Sequence, residues 1–552
     1  TETATTIAGR LVSASIDILQ DPRRVKPELN DEQVMFGREL ALCCVRVVSR
    51  SRGFKVLLGQ GHIGHTLTQV LTAHLAHPRV VVQALGGVAN LVAFEPTQIA
   101  LFDSGGVALM MECMKLHADV PGVQTWGCMA LGLLGSLGSG EQRAEQLVEM
   151  GALERIVAAL RRHRHRRPVV AKATRALYEL TVTSERNKIA AADLGAAVEL
   201  AACLGMAAVW VEHGVHAMGA SYLDDIVHDD TYVAAWSLAA DVDVQSQLVE
   251  GGALTSIVSV VSALPDQPVL LEEALPLLSL LAANDEMDDA VVAAGVVEVF
   301  VAALTRYSAS LFPGVVIAAL EGVHCCNSEQ AQRRLEQTEI VASVLECCRA
   351  AVQDDELAEA ALSAVSCLAF SDLMEKQLVS CGAVELVVSL VKTHQTALRV
   401  VHHGVGAIAN LATNEEHRRL LIEQGCVEVI MSGCSCHEHD AALVASCLGA
   451  LANLAGSPQV NLRIVGDDGI TDVFQWLTSH SDSEDVQARG LLLVANLASG
   501  PDSIRVSLGK AGAISHITSC IARFHGALGV EQNGMRALQS FGAREIETEP
   551  ET

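Results

Sequence analysis

The feature that most constrains this chain is a short pattern that returns along its length at nearly constant spacing. A small residue is followed two positions later by an aliphatic residue and then by an apolar helix face, at intervals of 43, 44 or 46 residues with one interval of 57. A fixed period in this range is typical of one structural unit copied along an axis, which buries its core only against its neighbours. We call the small residues the anchors: Gly61, Gly105, Gly151, Gly195, Gly252, Gly295, Thr338, Gly382, Gly425, Asp468 and Gly512.

The unit around Gly425 shows the pattern of three helices. Residues 405–412 are small and apolar, and residues 413–416 supply a turn with an N-cap candidate and acidic residues. A short helix over 418–424 stops at Gly425, a second helix follows from 427, and a third runs from 440 to 453. The sequence therefore predicts an all-α solenoid with one short and two longer helices in each unit.

Composition agrees with stacked helices that bind proteins. Hydrophobic residues make up 50% of the chain and aromatic residues 3%, which predicts a core of Ala, Val and Leu. The formal charge of −27 repels nucleic acid and anionic membranes and favours basic segments of partner proteins. No apolar stretch reaches the roughly 18 residues that span a bilayer, and the N-terminus has no secretory signal pattern. We expect a cytoplasmic protein without membrane insertion.

The sixteen cysteines lie mostly in apolar helical segments, and no CxxC motif occurs. Buried, reduced thiols in the cytosol are therefore expected. Cys434, Cys436, His437 and His439 are metal ligands by type, but structural zinc sites need a second pair nearby. We predict no metal site and no cofactor. A weaker set of the same kind comprises His213, His216, His228 and Asp229.

Residues 414–430 (NEEHRRLLIEQGCVEVI) and 445–455 (ASCLGALANLA) resemble the armadillo repeat. The resemblance covers about residue 5 to about residue 544. It implies a right-handed α-α superhelix of about 12 three-helix repeats. The expected organisation is an incomplete N-terminal capping repeat over 1–50, the solenoid over 51–544 and an acidic tail over 545–552. About 14 extra residues in the longest interval predict an insertion near 205–230, either as a loop or as a reshaped helix.

In the armadillo family the third helices line the inner groove, and an Asn near the end of each holds an extended peptide. At that position this chain has Asn90, then Ser136, Glu179, Ser237, Leu280, Val323 and Cys367, and finally Asn410, Asn453 and Asn496. The resemblance implies a peptide groove over the last three, and polar contacts from His403, Ser446 and Arg489 two turns earlier. The alternative is that each Asn bonds a neighbouring helix terminus and stabilises the stack.

The nuclear import adaptors of the importin-α type carry a Trp four residues before that Asn. This chain has no Trp at any of these ten positions, and four of them are glycines: Gly86, Gly132, Gly406 and Gly449. A helix-interior Gly costs about 1 kcal/mol relative to Ala. These glycines therefore indicate close approach, either of successive third helices or of a partner backbone. The importin-α type is disfavoured.

One concentrated run of positive charge stands out in the acidic chain. It has five arginines, Arg161, Arg162, Arg164, Arg166 and Arg167, together with two histidines. The run is expected in an exposed loop between the second and third helices of its unit. There it would bind an acidic or phosphorylated segment or a tubulin-like surface. The alternative is a solvated loop that offsets its acidic surroundings.

Motifs of catalysis are absent: the chain has no Walker A motif, no dinucleotide fingerprint, no GxSxG and no HExxH. We therefore predict a non-enzymatic scaffold or adaptor that binds protein partners along its groove. Two alternatives stay open. One is a structural component of a ciliary or other cytoskeletal assembly. The other is a regulator or chaperone of a small GTPase or myosin.

Overall fold

A computed structural model describes residues 10, 13–26, 28–50, 63–136, 141–212, 230–455, 457, 460, 461, 463, 464 and 469–542. These residues form α-helices joined by short turns and two 3₁₀ turns, and none of them is in a β-strand. The chain divides into two compact units, residues 1–281 and 282–552. We call these the first unit and the second unit.

The first unit contains sixteen helices with described bounds, in addition to the helical residues 13–20, and α16 ends at Ala282, one residue past the unit boundary. They are α1 (Pro22–Val25), α2 (Asp31–Val48), α3 (Ile63–Ala73), α4 (Pro78–Leu91), α5 (Glu95–Asp103), α6 (Gly106–Leu116), α7 (Pro121–Ser136), α8 (Glu141–Glu149), α9 (Ala152–His163), α10 (Arg167–Thr181), α11 (Glu185–Asp193), α12 (Ala196–Glu212), α13 (Thr231–Leu238), α14 (Val242–Glu250), α15 (Ala253–Ala263) and α16 (Pro268–Ala282).

The described part of the second unit continues the same order. Its helices are α17 (Asp288–Ala294), α18 (Val296–Arg306), α19 (Pro313–Cys325), α20 (Glu329–Leu335), α21 (Ile340–Ala350), α22 (Asp355–Leu368), α23 (Asp372–Ser380), α24 (Ala383–Thr393), α25 (Leu398–Leu411), α26 (Glu415–Glu423), α27 (Cys426–Cys436), α28 (Ala441–Leu454), α29 (Gly469–Ser479), α30 (Glu484–Ala498), α31 (Asp502–Lys510), α32 (Ala513–Arg523) and α33 (Leu528–Ser540).

Third helices stack on one another in each unit. In the first unit each third helix contacts the next one along the series α2, α4, α7, α10 and α13. The helix α16 completes the last repeat. In the second unit α19, α22, α25, α28, α30 and α33 do the same. The described residues thus contain twelve third helices, which confirms the predicted α-solenoid of about twelve repeats. The core is aliphatic, as predicted, and consists largely of Ala, Val and Leu.

The anchor glycines turn each first helix into the second. Gly151 and Gly382 have φ values of 95° and 85°, in the left-handed region. A residue with a Cβ is strained there, which explains why Gly recurs at this point of the unit. At Thr338 the chain uses a different solution, because a four-residue connection separates the end of α20 at Leu335 from the start of α21 at Ile340.

Several predicted features fall wholly or partly outside the described residues. The anchors Gly61 and Asp468, the tail 545–552 and the four-residue set from His213 to Asp229 lie outside them. Of the predicted insertion near 205–230, residues 205–212 extend α12, and the described chain resumes at Asp230 before α13.

A row of histidines joins the ends of second helices in successive repeats. In each, Nε2 lies 2.6 to 3.1 Å from a backbone carbonyl oxygen at the corresponding turn one repeat earlier. The ring therefore donates through Nε2–H and ties neighbouring repeats together. The row comprises His117 and His163 in the first unit and His394, His437 and His480 in the second.

No single helix in the described part of the chain is long and apolar enough to cross a membrane. The helix α11 and residues 196–209 of α12 reach that length and composition only as a pair, with a bend of 73° between them.

Candidate protein-binding surfaces

Three asparagines occupy equivalent places on successive third helices of the second unit. Asn410, Asn453 and Asn496 lie at the ends of α25, α28 and α30. Each Nδ2 donates to a backbone carbonyl 44 residues earlier, at distances of 2.9, 3.4 and 2.8 Å. The acceptors are Ser366, Ala409 and Ala452, each in the last turn of the preceding third helix.

These contacts show what holds the asparagines in place. The last four carbonyls of a helix have no partner within that helix, so each Asn satisfies one of them. A carboxamide has two N–H donors and an oxygen acceptor. Nδ2 of Asn410 also donates to Oγ of Ser366 at 3.2 Å, which leaves its oxygen for a ligand, whereas Asn453 and Asn496 keep a second N–H as well. Asn453 is exposed, while Asn410 and Asn496 are half-buried. The stacking role and the peptide-binding role are therefore compatible in one side chain.

Two turns earlier on the same helices, the predicted polar residues form contacts along the same surface. Arg489 Nε donates to Asp485 Oδ1 at 2.9 Å. Ser446 Oγ lies 3.4 Å from Nε2 of His402, the neighbour of the predicted residue His403. Asn533, on α33, lies 44 residues after Arg489 and so at the register of these polar residues, and it donates to the Ala488 carbonyl at 2.8 Å. The sequence pattern missed Asn533 because no anchor follows the last repeat.

His403 packs against two other histidines on this surface. Its ring centroid lies 5.5 Å from that of His324 on α19 and 5.9 Å from that of His402. Burial lowers the pKa of His403 to about 4, and the charges of His324, His402 and Arg399 act in the same direction. The ring is therefore neutral at neutral pH and contributes an uncharged polar contact.

Two of the four helix-interior glycines, Gly86 and Gly132, are explained by close packing within the protein. A Cβ built on Gly132 would lie 2.9 Å from the backbone Cα of Ala176 on α10. At Gly86 it would lie 2.4 Å from Cδ of Arg46. Gly406 and Gly449 leave more room, since the nearest atoms to such a Cβ are 3.3 and 3.4 Å away. Of the two predicted explanations, the structure shows close approach of third helices for Gly132.

Asn90 shares the helix-capping contact but has different surroundings. Its Nδ2 donates to the Arg46 carbonyl at 2.9 Å. The Arg46 side chain covers Gly86, donates to Oε1 of Gln83 at 2.7 Å and places its guanidinium 5.8 Å from the Trp126 ring centroid. The surface beside Asn90 is thus filled by side chains of the first unit itself.

The run of arginines and histidines is only in part the exposed loop that the sequence predicted. Arg161 and Arg162 belong to the last turn of α9, and Arg167 is the first residue of α10. Arg167 is buried, with 8% of its surface exposed, and so is His163, with 5%. Arg161, Arg162, Arg164 and Arg166 are exposed as predicted. The prediction is wrong for His163 and Arg167, because α9 and α10 include the two ends of the run.

The other arginines of this run differ in whether they form ion pairs. Arg161 Nε donates to Oε1 of Glu199 at 2.7 Å, and Arg162 forms an ion pair with Asp119. Arg164 and Arg166 lie in the short connection between α9 and α10 and are exposed. Neither forms an ion pair with a described residue. The positive charge is therefore divided between paired and free arginines.

The structure separates the cysteines and histidines near residue 437. Cys434 is buried in α27, while Cys436 is exposed. The His437 ring is engaged with the Gln395 carbonyl at 2.9 Å. Among the described residues, no group of three or more potential ligands could hold a metal ion.

No family model matches this sequence, and no curated protein matches it. Solved structures are similar in fold. A chain from structural work on a conserved phosphorylation switch, which controls the interaction between cadherin and beta-catenin, has a TM-score of 0.69 and 17% identity, covering 95% of this chain and 98% of that one. The crystal structure of an engineered protein has a TM-score of 0.62 and 21% identity, covering 79% of this chain and 99% of that one. This chain has the fold of a helical repeat protein.

Proposed function

We propose that this chain is a non-enzymatic armadillo-repeat scaffold that binds an extended segment of a protein partner on the third helices of its second unit. The observation that carries the proposal is the row formed by Asn410, Asn453 and Asn496. Each side chain is held by the same bond to the preceding helix, so its orientation repeats from one helix to the next. Such pre-organisation lowers the entropy cost of binding.

The spacing of this row suits an extended peptide backbone. Packed helices lie about 8 to 10 Å apart, and an extended chain rises about 3.3 Å per residue. A peptide crossing α25, α28 and α30 would therefore meet one asparagine about every three residues. Backbone amides are a recurrent target of side-chain carboxamides because both have donors and acceptors.

Three further observations support the armadillo assignment. The units have one short and two longer helices, and Gly anchors with positive φ separate the first two. The fold is similar to a chain from work on the interaction between cadherin and beta-catenin, which is itself a case of protein binding.

A cytoplasmic location is part of the proposal, since eleven of the sixteen free cysteines are buried in the helices. The cytoskeletal, ciliary, GTPase and myosin roles stay predictions.

The proposal is tested by selecting extended peptides from a random library against the 552-residue chain. The strongest binder is then measured against a variant with Asn410→Ala, Asn453→Ala and Asn496→Ala. Each lost peptide hydrogen bond is worth about 1 kcal/mol, so the dissociation constant should rise by at least about tenfold. Fluorescence anisotropy gives the affinity, and circular dichroism confirms the helical fold.

Asn90→Ala is the matched control, because it removes the same kind of helix-capping bond in the first unit. It should leave the affinity unchanged. Peptides whose affinity is equal in all three proteins would contradict a binding role for the asparagine row.

A further inference from the structure

A cleft of about 370 Å³ lies between the second helices α6 and α9 in the first unit, which supply most of its lining, and Gln124 of the third helix α7 also lines it. Its lining combines the basic residues Lys115, Arg155, Arg161 and Arg162 with apolar atoms of Met114 and of three alanines. The volume lies within the range of sites that bind small ligands or a few side chains. Basic and apolar groups therefore meet in one concave site of an otherwise acidic chain.

The end of α9 is fixed beside this cleft. Arg162 pairs with Asp119, and Nε2 of His163 lies 2.7 Å from the carbonyl oxygen of Ala118, both in the connection that follows α6. Gln124, from α7, donates to the carbonyls of Met114 and His117 at 2.9 Å in each case. These contacts hold both walls of the cleft without using its other cations.

The charges in the cleft do not cancel. Arg161 is engaged by Glu199, whose side chain is only 7% exposed, and Arg162 is engaged by Asp119. Lys115 is exposed and Arg155 is half-buried, and neither forms an ion pair with a described residue. Two positive charges are thus available in a chain of formal charge −27.

We infer that this cleft binds an acidic segment of a partner protein in which carboxylate side chains flank an aliphatic residue. Lys115 and Arg155 pair with the carboxylates, and the aliphatic side chain packs against Met114 and Ala158. Arginine and lysine bind carboxylates by charge-assisted hydrogen bonds. The apolar part of the lining distinguishes this ligand from a nucleic acid backbone, which needs a row of phosphate contacts along an extended basic surface. The inference is independent of the asparagine row.

The experiment uses the whole chain and a fluorescein-labelled peptide of about nine residues, with a central leucine between glutamates. The charge-matched variants are Lys115→Gln with Arg155→Gln, and Arg164→Gln with Arg166→Gln. Both pairs remove two positive charges, but only the first lies in the cleft. Partly screened ion pairs predict a rise of about tenfold in the dissociation constant for the first pair and less than about twofold for the second.

Three further probes decide between occupants: the same peptide with glutamines, a phosphoserine peptide and a single-stranded oligonucleotide. The inference requires the glutamate peptide to bind most tightly and to weaken as salt is raised. Equal losses of peptide affinity in the two variants would show that binding depends on the general positive charge of this region and not on the cleft, and would overturn the site. Tighter binding of the phosphoserine peptide or the oligonucleotide would overturn the assigned occupant, and absence of glutamate-peptide binding would overturn both. Alanine at all three of Asn410, Asn453 and Asn496 should leave this affinity unchanged.

Discussion

The third helices of the two units use one framework for different surfaces. In the first unit, Gly132 is pressed against the backbone of Ala176, and the side chain of Arg46 fills the space above Gly86. In the second unit, Gly406 and Gly449 have looser neighbours, and asparagines recur on three successive helices. The difference teaches that the repeat itself does not make a binding surface. The side chains at two registers of the third helix decide whether that surface is filled by the protein or available to a partner.

The largest difference between the two units is expected in the reactivity of their cysteine thiols. The second unit has two exposed cysteines, Cys381 and Cys436, whereas none of the first unit's cysteines is exposed. Burial raises the pKa of Cys128 and of Cys348 to about 12, which leaves very little reactive thiolate at neutral pH. Labelling with iodoacetamide should modify Cys381 and Cys436 at least about a hundredfold faster than the buried thiols.

Mass spectrometry of peptides taken at successive times provides the rates. Unfolding in guanidinium should equalise them, which serves as the control. Rapid labelling of Cys128 in the native protein would contradict the close packing of α7.

A second prediction tests whether a glycine of each unit tolerates a Cβ atom differently. Gly132→Ala should destabilise the protein by about 1 to 3 kcal/mol, because its Cβ would overlap backbone atoms of Ala176 that cannot move aside. Gly449→Ala should be neutral or stabilise by up to about 1 kcal/mol, because its Cβ meets only the flexible Arg489 side chain and Ala favours helix. Thermal unfolding of the two variants measures the difference, and equal melting temperatures would contradict the distinction between the two surfaces.

The smallest expected effect concerns pH. The pKa of His403 is about 4 in the folded protein, below the usual value near 6.5, so the unfolded chain binds the proton more readily between these values. Above pH 6.5 His403 is unprotonated in both states and does not change the free energy of unfolding. As the pH is lowered from 6.5 towards 4, protonation of the unfolded chain should lower that free energy. His403→Gln should reduce that fall. Thermal unfolding at pH 7.0 and 5.0 tests this, and an unchanged slope in the variant would contradict it.

Much of the fold was predictable because the period is a local signal repeated many times. The Gly382 anchor and the helix after it depend on residues close in sequence, since positive φ is tolerated by Gly whatever lies nearby. The asparagine register was also predictable, because the interval of 43 residues carries Asn410 to Asn453 and Asn496. The histidine row follows the same spacing, since 43 residues separate His394 from His437 and His437 from His480.

Other features could not be read from local pattern. Lys115 and Arg155 share a cleft although 40 residues separate them in the chain, and neither belongs to a motif. Arg167 looked exposed within a charged run, yet it begins α10 and is buried. The sequence of a charged segment shows how many charges it carries but not which of its side chains are buried.

The sequence by itself determined the repeat, the three helices of each unit and the aliphatic core, because these depend on periodicity and on the conformational preferences of single residues. Only the tertiary structure decided which polar groups are satisfied and which are available. That outcome depends on contacts about 44 residues apart, such as Asn496 with Ala452. It also depends on how closely two helices approach, as Gly132 and Ala176 show. Burial and pairing are properties of neighbouring repeats together, so no single repeat reveals them.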